Sequence, residues 1–284
     1  MPDRPRNVGA SVRQRLLNLA HARGQPMELL LTRYALERLL HRLSLSPHRE
    51  RFALKGAMLL ATWFDEPHRA TRDVDLLGFG DAAADALLDT FREIMAIKVD
   101  DGVIFDLRGL KIEAIREEVE YGGSRLRTTA VLAGARIPIT VDIGFGDAVE
   151  PGVDDIDLPV LLDMPSPHLR AYPPETVIAE KFHAMVVLGM ANSRMKDYYD
   201  VWMLTGAFEV DPKRLRRAIA ATFARRSTPI PVGVPDGLSD ALTTDLAKQR
   251  QWDAFTRNLA VPAPELKLVV SDLQKRLLPI LFIA

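Results

Sequence analysis

The chain has 284 residues and no cysteine; 48% of its residues are hydrophobic, 26% are charged, and its formal net charge is −1. This length suits one large domain or two ordinary ones, and the composition excludes the weakly hydrophobic, highly charged class of disordered chains. The lack of cysteine excludes disulfides, thiolate metal sites and a cysteine nucleophile. The first residues lack the apolar core of a signal peptide, and no run of about 18 apolar residues suggests a membrane span. We therefore expect a cytoplasmic protein with no membrane partner.

The first 63 residues predict three helices. Ser11 can cap a helix that starts at Val12 and ends at Gly24. A second helix is predicted from Met27 to about Ser44 because its leucines recur near a 3.6-residue period. A third, largely buried helix is predicted over 49–63.

The apolar pattern then changes to that of a sheet. We predict a strand at Asp73–Leu77, a helix over 82–96, and a hairpin at "LAGARI" between the last two strands. The further predicted strands cover 103–107, 111–115, 125–133 and 136–143. The fold class predicted for this part is α+β, with a mixed or antiparallel sheet flanked by helices.

The second half of the chain predicts a helical domain. Residues 147–174 look like an acidic, proline-rich connector, and we place a soft boundary near residue 165. The two predicted domains are therefore 1–164 and 165–284. The helices predicted after the connector cover about 174–190, 194–205, 211–226, 237–257 and 263–280.

Two aspartates stand inside the first apolar strand pattern, in the stretch "RATRDVDLLGFGD" (69–81). Residues i and i+2 of a strand point to the same face, so Asp73 and Asp75 project together. Two carboxylates this close repel each other unless a cation lies between them. Mg²⁺ is one such cation, because it prefers carboxylate and phosphate oxygens. The alternative is a surface pair with salt bridges to Arg69 and Arg72.

A third aspartate and a glycine extend this pattern. Asp142 lies near the end of the apolar run "IPITVDIGFGD", so it also interrupts a predicted core strand. Three carboxylates on one sheet can hold the two metal ions used in in-line nucleotidyl transfer. Upstream, Gly56 in "LKGAMLL" could let backbone N–H groups approach phosphates, or it could be an ordinary packing residue.

One helix is strongly basic, with six bases and a single acid over 211–226. Such a helix can be a solvated face or a surface that contacts a nucleic-acid backbone. The basic residues are Lys213, Arg214, Arg216, Arg217, Arg225 and Arg226.

Together these motifs resemble the DNA polymerase β nucleotidyltransferase superfamily, and more closely the AbiEii toxin family of abortive-infection and toxin–antitoxin systems. The resemblance is carried by five stretches whose order and spacing fit, from residue 54 to residue 204. They are "LKGAMLL" (54–60), "RATRDVDL" (69–76), "VDIGFGD" (141–147), "PPETVIAEKFHAM" (173–185) and "SRMKDYYDVWML" (193–204).

The resemblance implies an Mg²⁺-dependent nucleotidyltransferase with an NTP substrate and RNA, the 3′ end of a tRNA, as acceptor. It implies that Asp73, Asp75 and Asp142 bind metal, and that these three with Lys181 and Asp197 are catalytic. It also implies an antitoxin partner. The remaining nucleotide-binding residues that it implies are Lys55, Gly56, Arg69, Arg72, Arg194, Lys196 and Asp200.

One position departs from the family pattern. The superfamily glycine is usually followed by Gly or Ser, whereas Ala57 follows Gly56 here. Two alternatives therefore stay open at the level of sequence. One is transfer to a small molecule or a protein side chain, and the other is an inactive interaction protein that keeps the fold.

Overall fold

The computed structural model describes residues 7–64, 71–115, 122–257, 259 and 262–282. The chain divides into two compact units. The first comprises Met1–Gly146 and Asp154–Ala171, and the second comprises Asp147–Val153 and Tyr172–Ala284. The predicted boundary near residue 165 falls inside the last stretch of the first unit.

The first unit contains four helices and eight strands within the described residues. Its helices are α1 (Val8–Arg23), α2 (Met27–Leu45), α3 (Gly56–Leu60) and α4 (Ala84–Ala96). Its strands are β1 (Phe52–Lys55), β2 (Val74–Gly78), β3 (Val103–Phe105), β4 (Lys111–Ile115), β5 (Gly123–Leu132), β6 (Ala135–Phe145), β7 (Asp154–Asp157) and β8 (His168–Ala171).

These strands form one mixed sheet in the order β3-β5-β6-β2-β1-β8-β7, and β4 pairs with another part of β5. The central strand β2 is antiparallel to β1 and parallel to β6. The α+β prediction with a mixed sheet flanked by helices is confirmed.

The sheet alternates between a buried face and a partly exposed one. In β2, Val74 and Leu76 are buried while Asp75 between them is partly exposed; in β6, Val141 and Ile143 flank Asp142 in the same way. Alternate residues of a strand point to opposite faces. The aspartates therefore lie on the less buried face and leave the apolar core intact.

The helix predicted over 49–63 is wrong. After a 3₁₀ turn at Arg49–Arg51, the chain forms β1 and then the short helix α3. The first three residues of β1 are all buried, and the strand lies between β2 and β8. A short continuous apolar run is compatible with either a buried strand or a buried helix, and here strand pairing decides.

The predicted connector over 147–174 is wrong where it contains β7 and β8. These strands pair antiparallel, with Asp154 opposite Ala171 and Asp157 opposite His168, and β8 joins β1 in parallel. β7 is the edge strand of the sheet, and three of its four residues are exposed. Charged side chains are typical of such edges, which explains why acidic residues can occupy a strand.

The hairpin predicted at "LAGARI" is confirmed. Leu132 and Ala135 form the last pair of the β5–β6 ladder, and the two residues between them have positive φ, 45° at Ala133 and 83° at Gly134. Positive φ at both central residues matches the tight turn that suits the twist of antiparallel strands.

Helix α1 begins four residues earlier than predicted. Asn7 is its cap, and its side chain accepts a hydrogen bond from the Ala10 backbone N–H, whereas Ser11 lies inside the helix. The predicted end at Gly24 is confirmed, since Gly24 adopts the left-handed conformation with φ 61°.

The second unit is helical, as predicted. Its helices are α5 (Pro174–Leu188), α6 (Met195–Ala207), α7 (Pro212–Arg225), α8 (Asp240–Thr244), α9 (Leu246–Thr256) and α10 (Leu266–Leu277). The single helix predicted over 237–257 is wrong, because Asp245 ends α8 and caps α9 by accepting from the N–H groups of Ala247 and Lys248. No helix among the described residues is long and apolar enough to cross a membrane.

A buried ion pair fixes α2 in the first unit. The Arg42 guanidinium contacts both carboxylate oxygens of Asp101 at 2.6 and 3.1 Å and also donates to the carbonyls of Ile97 and Val103. Tyr34 of the same helix donates to the Asp101 carbonyl. A buried charge is tolerated when its hydrogen-bonding capacity is met by fixed partners.

We predict that Asp101→Ala lowers the free energy of unfolding by about 3–5 kcal/mol, because it leaves the Arg42 charge buried without its partner. The measurement is urea unfolding followed by circular dichroism. The matched control is Asp89→Ala, which removes an exposed pair with Arg92 and should change stability by no more than about 0.5 kcal/mol. Equal losses in the two variants would contradict the prediction.

Candidate active site

Four charged residues form one row across the sheet of the first unit. Lys55 of β1 is opposite Asp75 of β2, Asp75 is opposite Asp142 of β6, and Asp142 is opposite Arg125 of β5. Residues opposite each other on neighbouring strands share a face. These four positions therefore read positive, negative, negative, positive, and Glu113 of β4 lies opposite Arg125 beyond them.

Asp73 is a further carboxylate near this row, two residues before Asp75. It lies one residue before β2, and its Oδ1 accepts a hydrogen bond of 2.8 Å from the Thr71 hydroxyl. Its charge also helps to raise the pKa of the Arg125 guanidinium, which places it within electrostatic reach of Arg125. Arg72 is exposed beside it. Arg69 lies outside the described residues.

Gly56 follows Lys55 and leaves room for the Asp75 carboxylate. Its φ of 71° lies in the left-handed region. A Cβ added there would overlap Asp75 Oδ2 and would lie 2.6 Å from its Cγ and 2.8 Å from its Cβ. No other residue fits this position without displacing Asp75. The structure therefore places Gly56 at the predicted site and gives it a steric role there.

Arg125 is the residue of this site that the sequence analysis missed. Its Nε lies 2.7 Å from Asp142 Oδ1 and its Nη2 lies 2.6 Å from Asp142 Oδ2. These hydrogen bonds raise the pKa of the guanidinium, and the charges of Asp142 and Asp73 act in the same direction.

A sequence signal for Arg125 existed in the predicted hairpin. A tight turn at Ala133 and Gly134 pairs Leu132 with Ala135. Seven residues away from the turn along each strand, the same register pairs Arg125 with Asp142. Hairpin register follows from the turn, so the pair could have been found by counting.

The carboxylates of this sheet differ in how well they fit a divalent cation. Asp73 and Asp75 are two carboxylates two residues apart, and Mg²⁺ is typically held by one or two carboxylates together with water and substrate phosphates. Among the described residues, no group of three His, Cys, Asp or Glu side chains is arranged to hold a metal ion. On this sheet both oxygens of the third carboxylate, Asp142, accept from Arg125. The pair Asp73 and Asp75 fits Mg²⁺.

In the second unit, Lys181 of α5 and the predicted acidic residues of α6 form a buried ion-pair cluster, with Arg194 at its exposed edge. Lys181 Nζ lies 2.7 Å from Asp197 Oδ1 and 2.9 Å from Asp200 Oδ2. Arg194 Nε lies 2.6 Å from Asp197 Oδ2. The two carboxylates are almost fully buried, and the i,i+3 spacing on α6 places both beside Lys181. Lys196, also predicted, is exposed in the first turn of α6 and is four residues before Asp200.

Two buried residues that the sequence analysis did not single out hold the loop before α6. Asn192 is fully buried, and its Oδ1 accepts a hydrogen bond of 2.8 Å from the Arg194 backbone N–H. Lys248 of α9 donates to the Asn192 carbonyl at 2.8 Å. This loop places Arg194, the first residue of the cluster. No local sequence signal identifies Lys248, because the contact spans 56 residues.

Two titratable side chains near this cluster stay neutral at ordinary pH. Burial, and then the charge of Arg226, lower the pKa of His183 to about 4. Burial, and then the charge of Asp200, raise the pKa of Tyr199. The cluster therefore owes its positive charge to Lys181 and Arg194 rather than to an imidazolium.

Several basic residues of helix α7 and its C-terminal end form ion pairs with acidic residues. Arg214 lies 3.4 Å from Glu175, Arg217 lies 3.2 Å from Glu150, and Arg226 lies 3.4 Å from Glu180 and 3.6 Å from Asp147. Lys213, Arg216 and Arg225 are exposed. Three arginines of the predicted RNA-binding set thus pair with acidic residues of the same unit, and four of the six predicted residues, Arg217 among them, are exposed.

Comparison with known proteins identifies similar chains. A family model described as "Nucleotidyl transferase AbiEii toxin, Type IV TA system" matches residues 38–275. No curated protein matches the chain by sequence.

Solved structures add a fold comparison. The crystal structure of JHP933 from Helicobacter pylori is 14% identical, with a TM-score of 0.53 over 90% of this chain and 93% of that one. A second H. pylori structure is 13% identical, with a TM-score of 0.42 over 90% and 98%. An antigenic nucleotidyltransferase-like protein from Paracoccidioides brasiliensis is 13% identical, with a TM-score of 0.38 over 67% and 89%. The first agrees well enough to support a shared fold.

We predict that Gly56→Ala destabilises the protein more than Gly24→Ala. Both glycines have φ near 60–70°, so each variant has the left-handed backbone cost of about 1–2 kcal/mol. The Cβ at Gly24 meets nothing within 4 Å, whereas at Gly56 it overlaps Asp75, which should add about 1–3 kcal/mol. Urea unfolding measures the difference, and equal losses would contradict the close packing at Asp75.

Proposed function

The chain belongs to the AbiEii nucleotidyl transferase toxin family and is a nucleotidyltransferase, and we propose that it transfers a nucleoside monophosphate from an NTP to the 3′ end of a tRNA. The family is one of type IV toxin–antitoxin systems, which implies an NTP substrate and an antitoxin partner. Blocked translation is the proposed consequence of the modified tRNA.

The observation that carries the proposal is the packing of Asp75 against Gly56, with Asp73 two residues before it and Asp142 opposite. This arrangement gathers carboxylates on one face of a sheet beside a glycine that a larger residue cannot replace. Such a gathering destabilises a sheet by charge repulsion unless cations, from side chains or bound metal, offset it. A site for a metal–nucleotide complex explains why these residues are there.

In the proposed reaction, a hydroxyl oxygen of the acceptor attacks the α-phosphorus of the NTP. A new P–O bond forms, the bond between the α-phosphorus and the bridging oxygen breaks, and pyrophosphate leaves. Asp73 and Asp75 would hold Mg²⁺, which supplies charge neutralisation for the triphosphate. Asp142 would help to activate the hydroxyl, as a further ligand or by accepting its proton.

Each unit contains proposed nucleotide-binding residues. In the first unit these are Lys55, Gly56, Arg69 and Arg72. Lys181 is the proposed cation for phosphate charge in the second unit, and the short contacts to Asp197 and Asp200 hold its ammonium in one place. Fixed charges of this kind stabilise a transition state without reorganisation. Arg194 and Lys196 complete the proposed set.

The alternative acceptors are a small molecule or a protein side chain. They require the same carboxylates but give no reason for the exposed cations on α7. Lys213, Arg216 and Arg225 are exposed on that helix, and exposed cations of this kind can contact the phosphates of a tRNA backbone. This observation favours RNA.

The decisive experiment incubates the full chain with Mg²⁺, total bacterial tRNA and each of the four α-labelled ribonucleoside triphosphates. We expect one nucleotide to label the tRNA, and Asp75→Asn to lower the rate by at least about 100-fold, since it removes a charged ligand of the Mg²⁺ that would neutralise the triphosphate. Asp81→Asn, at an exposed position after β2, is the control that should leave the rate unchanged.

The products decide between the acceptors. Label on protein or on a small molecule, with none on tRNA, would show that the chain transfers a nucleotide to an acceptor other than tRNA. No label and no pyrophosphate with any nucleotide would overturn the proposed reaction. Equal labelling by wild type and Asp75→Asn would show that the carboxylates have another role.

We predict a separate effect for the exposed residues of α7. Replacing Lys213 and Arg216 by alanine should weaken tRNA binding and lower the slope of log Kd against log salt by about 1–2, because two phosphate contacts are lost. Arg250→Ala with Lys267→Ala, two exposed cations on α9 and α10, is the control of equal charge change. A gel-shift titration at several salt concentrations measures tRNA binding by both double variants. Equal losses of affinity in the two would show that the effect depends on net charge alone.

A further inference from the structure

The Arg125–Asp142 ion pair occupies the third carboxylate of the proposed cation site. Both Asp142 oxygens accept from the Arg125 guanidinium at 2.6–2.7 Å. The side chain of Asp142 is 18% exposed and that of Arg125 is 36% exposed. A fork of this geometry leaves Asp142 little capacity to face a second cation, but its partial exposure gives Arg125 space to leave.

The charges around the pair explain why an arginine is needed. Asp75 and Asp142 are opposite each other on neighbouring parallel strands, and the charge of Asp73, two residues before Asp75, also acts on Arg125. Three negative charges at this spacing repel one another in the metal-free protein. The guanidinium of Arg125 offsets this repulsion from the β5 side of the row, as a bound cation would.

We propose that Arg125 is a positioning residue that holds Asp142 away from the cation in the nucleotide-free protein and must release it for the third carboxylate to join the site. In this arrangement, here called the latch, the guanidinium and the divalent cation compete for Asp142. The resting site then presents Asp73 and Asp75, and its cation affinity is lower than three carboxylates would give. The latch rests on the proposed function, because it presupposes a cation at Asp73 and Asp75.

The chain offers a matched control on the same strand. Arg127 also belongs to β5, and its Nη1 pairs with Glu113 of β4 at 2.9 Å. This second arginine pair across strands is about half exposed and contains none of the site carboxylates. Replacing Arg127 removes the same charge and the same kind of cross-strand pair, but it removes neither partner of the Arg125–Asp142 pair.

The test titrates the full chain with Mn²⁺, in place of Mg²⁺, and counts free Mn²⁺ by electron paramagnetic resonance, so that no activity is required. We expect Arg125→Met to bind Mn²⁺ about five- to tenfold more tightly than wild type, the effect of freeing one partly exposed ion pair. Arg127→Met should stay within about twofold. Arg125→Lys, which keeps the charge but loses the fork, should fall between Arg125→Met and wild type.

A double-mutant cycle separates the latch from simple charge repulsion. If Arg125 acts through Asp142, Arg125→Met tightens Mn²⁺ binding in wild type but not in an Asp142→Asn background. A gain of equal size in both backgrounds would overturn the latch and make Arg125 a general repulsive charge. No gain in either background would overturn it as well.

Thermal unfolding provides the second readout. Without metal, Arg125→Met should have a lower Tm than wild type because the carboxylate repulsion is no longer offset, and saturating Mg²⁺ should raise its Tm by more than it raises that of wild type. An Mg²⁺-induced shift equal to that of wild type would contradict the latch.

Asp75→Asn distinguishes failure of the latch from failure of the proposed function. If Asp75→Asn weakens Mn²⁺ binding while Arg125→Met leaves it unchanged, the latch is wrong and the cation site stands. If Asp75→Asn has no effect, or if neither wild type nor Arg125→Met binds Mn²⁺, the cation site itself is wrong and both proposals fail.

Discussion

Two carboxylates opposite each other on neighbouring parallel strands are the constraint around which the first unit is arranged. Asp75 and Asp142 share a face of the sheet, and like charges at this position are destabilising. Lys55 and Arg125 lie next to the two carboxylates in the same row, so each carboxylate has a cation on its outer side. Gly56 accommodates one carboxylate by lacking a side chain. Strand register places the two carboxylates opposite each other, the neighbouring cations offset their charge, and Gly56 leaves room for one of them.

In both units, a buried charged side chain contacts several fixed partners. In the first unit, Arg42 distributes its donors between the Asp101 carboxylate and three backbone carbonyls. In the second, Lys181 contacts Asp197 and Asp200. The roles differ, because the Arg42 pair holds a helix in place while Lys181 belongs to the proposed phosphate site. Burial and pairing alone therefore do not identify a functional charge, and the motif around it is needed as well.

The family and the sheet together restrict what the site can do. Membership in a nucleotidyl transferase toxin family supplies the reaction class, and the sheet supplies a pair of carboxylates that fit Mg²⁺ and a third that is held by arginine. Under the proposed latch, the site would have two states of different cation affinity, with Asp142 held by Arg125 or released. Competition between a guanidinium and a metal ion for one carboxylate would let substrate binding and site assembly occur together, since a metal–nucleotide complex brings the competing cation.

The sequence by itself determined the α+β class, the hairpin at Ala133–Gly134, the helical second half and the aspartates of the site, because each is encoded locally, by turn residues or by charges that interrupt an apolar period. It also carried the family resemblance in five short motifs. Tertiary structure decided the rest. β1 is a strand because β2 and β8 flank it, although its apolar run suits a helix as well. The engagement of Asp142 by Arg125, and of Arg214, Arg217 and Arg226 by acidic residues, depends on which chain segments meet in space. A local pattern reveals which residues carry charge, but only long-range packing decides which partner each charge finds.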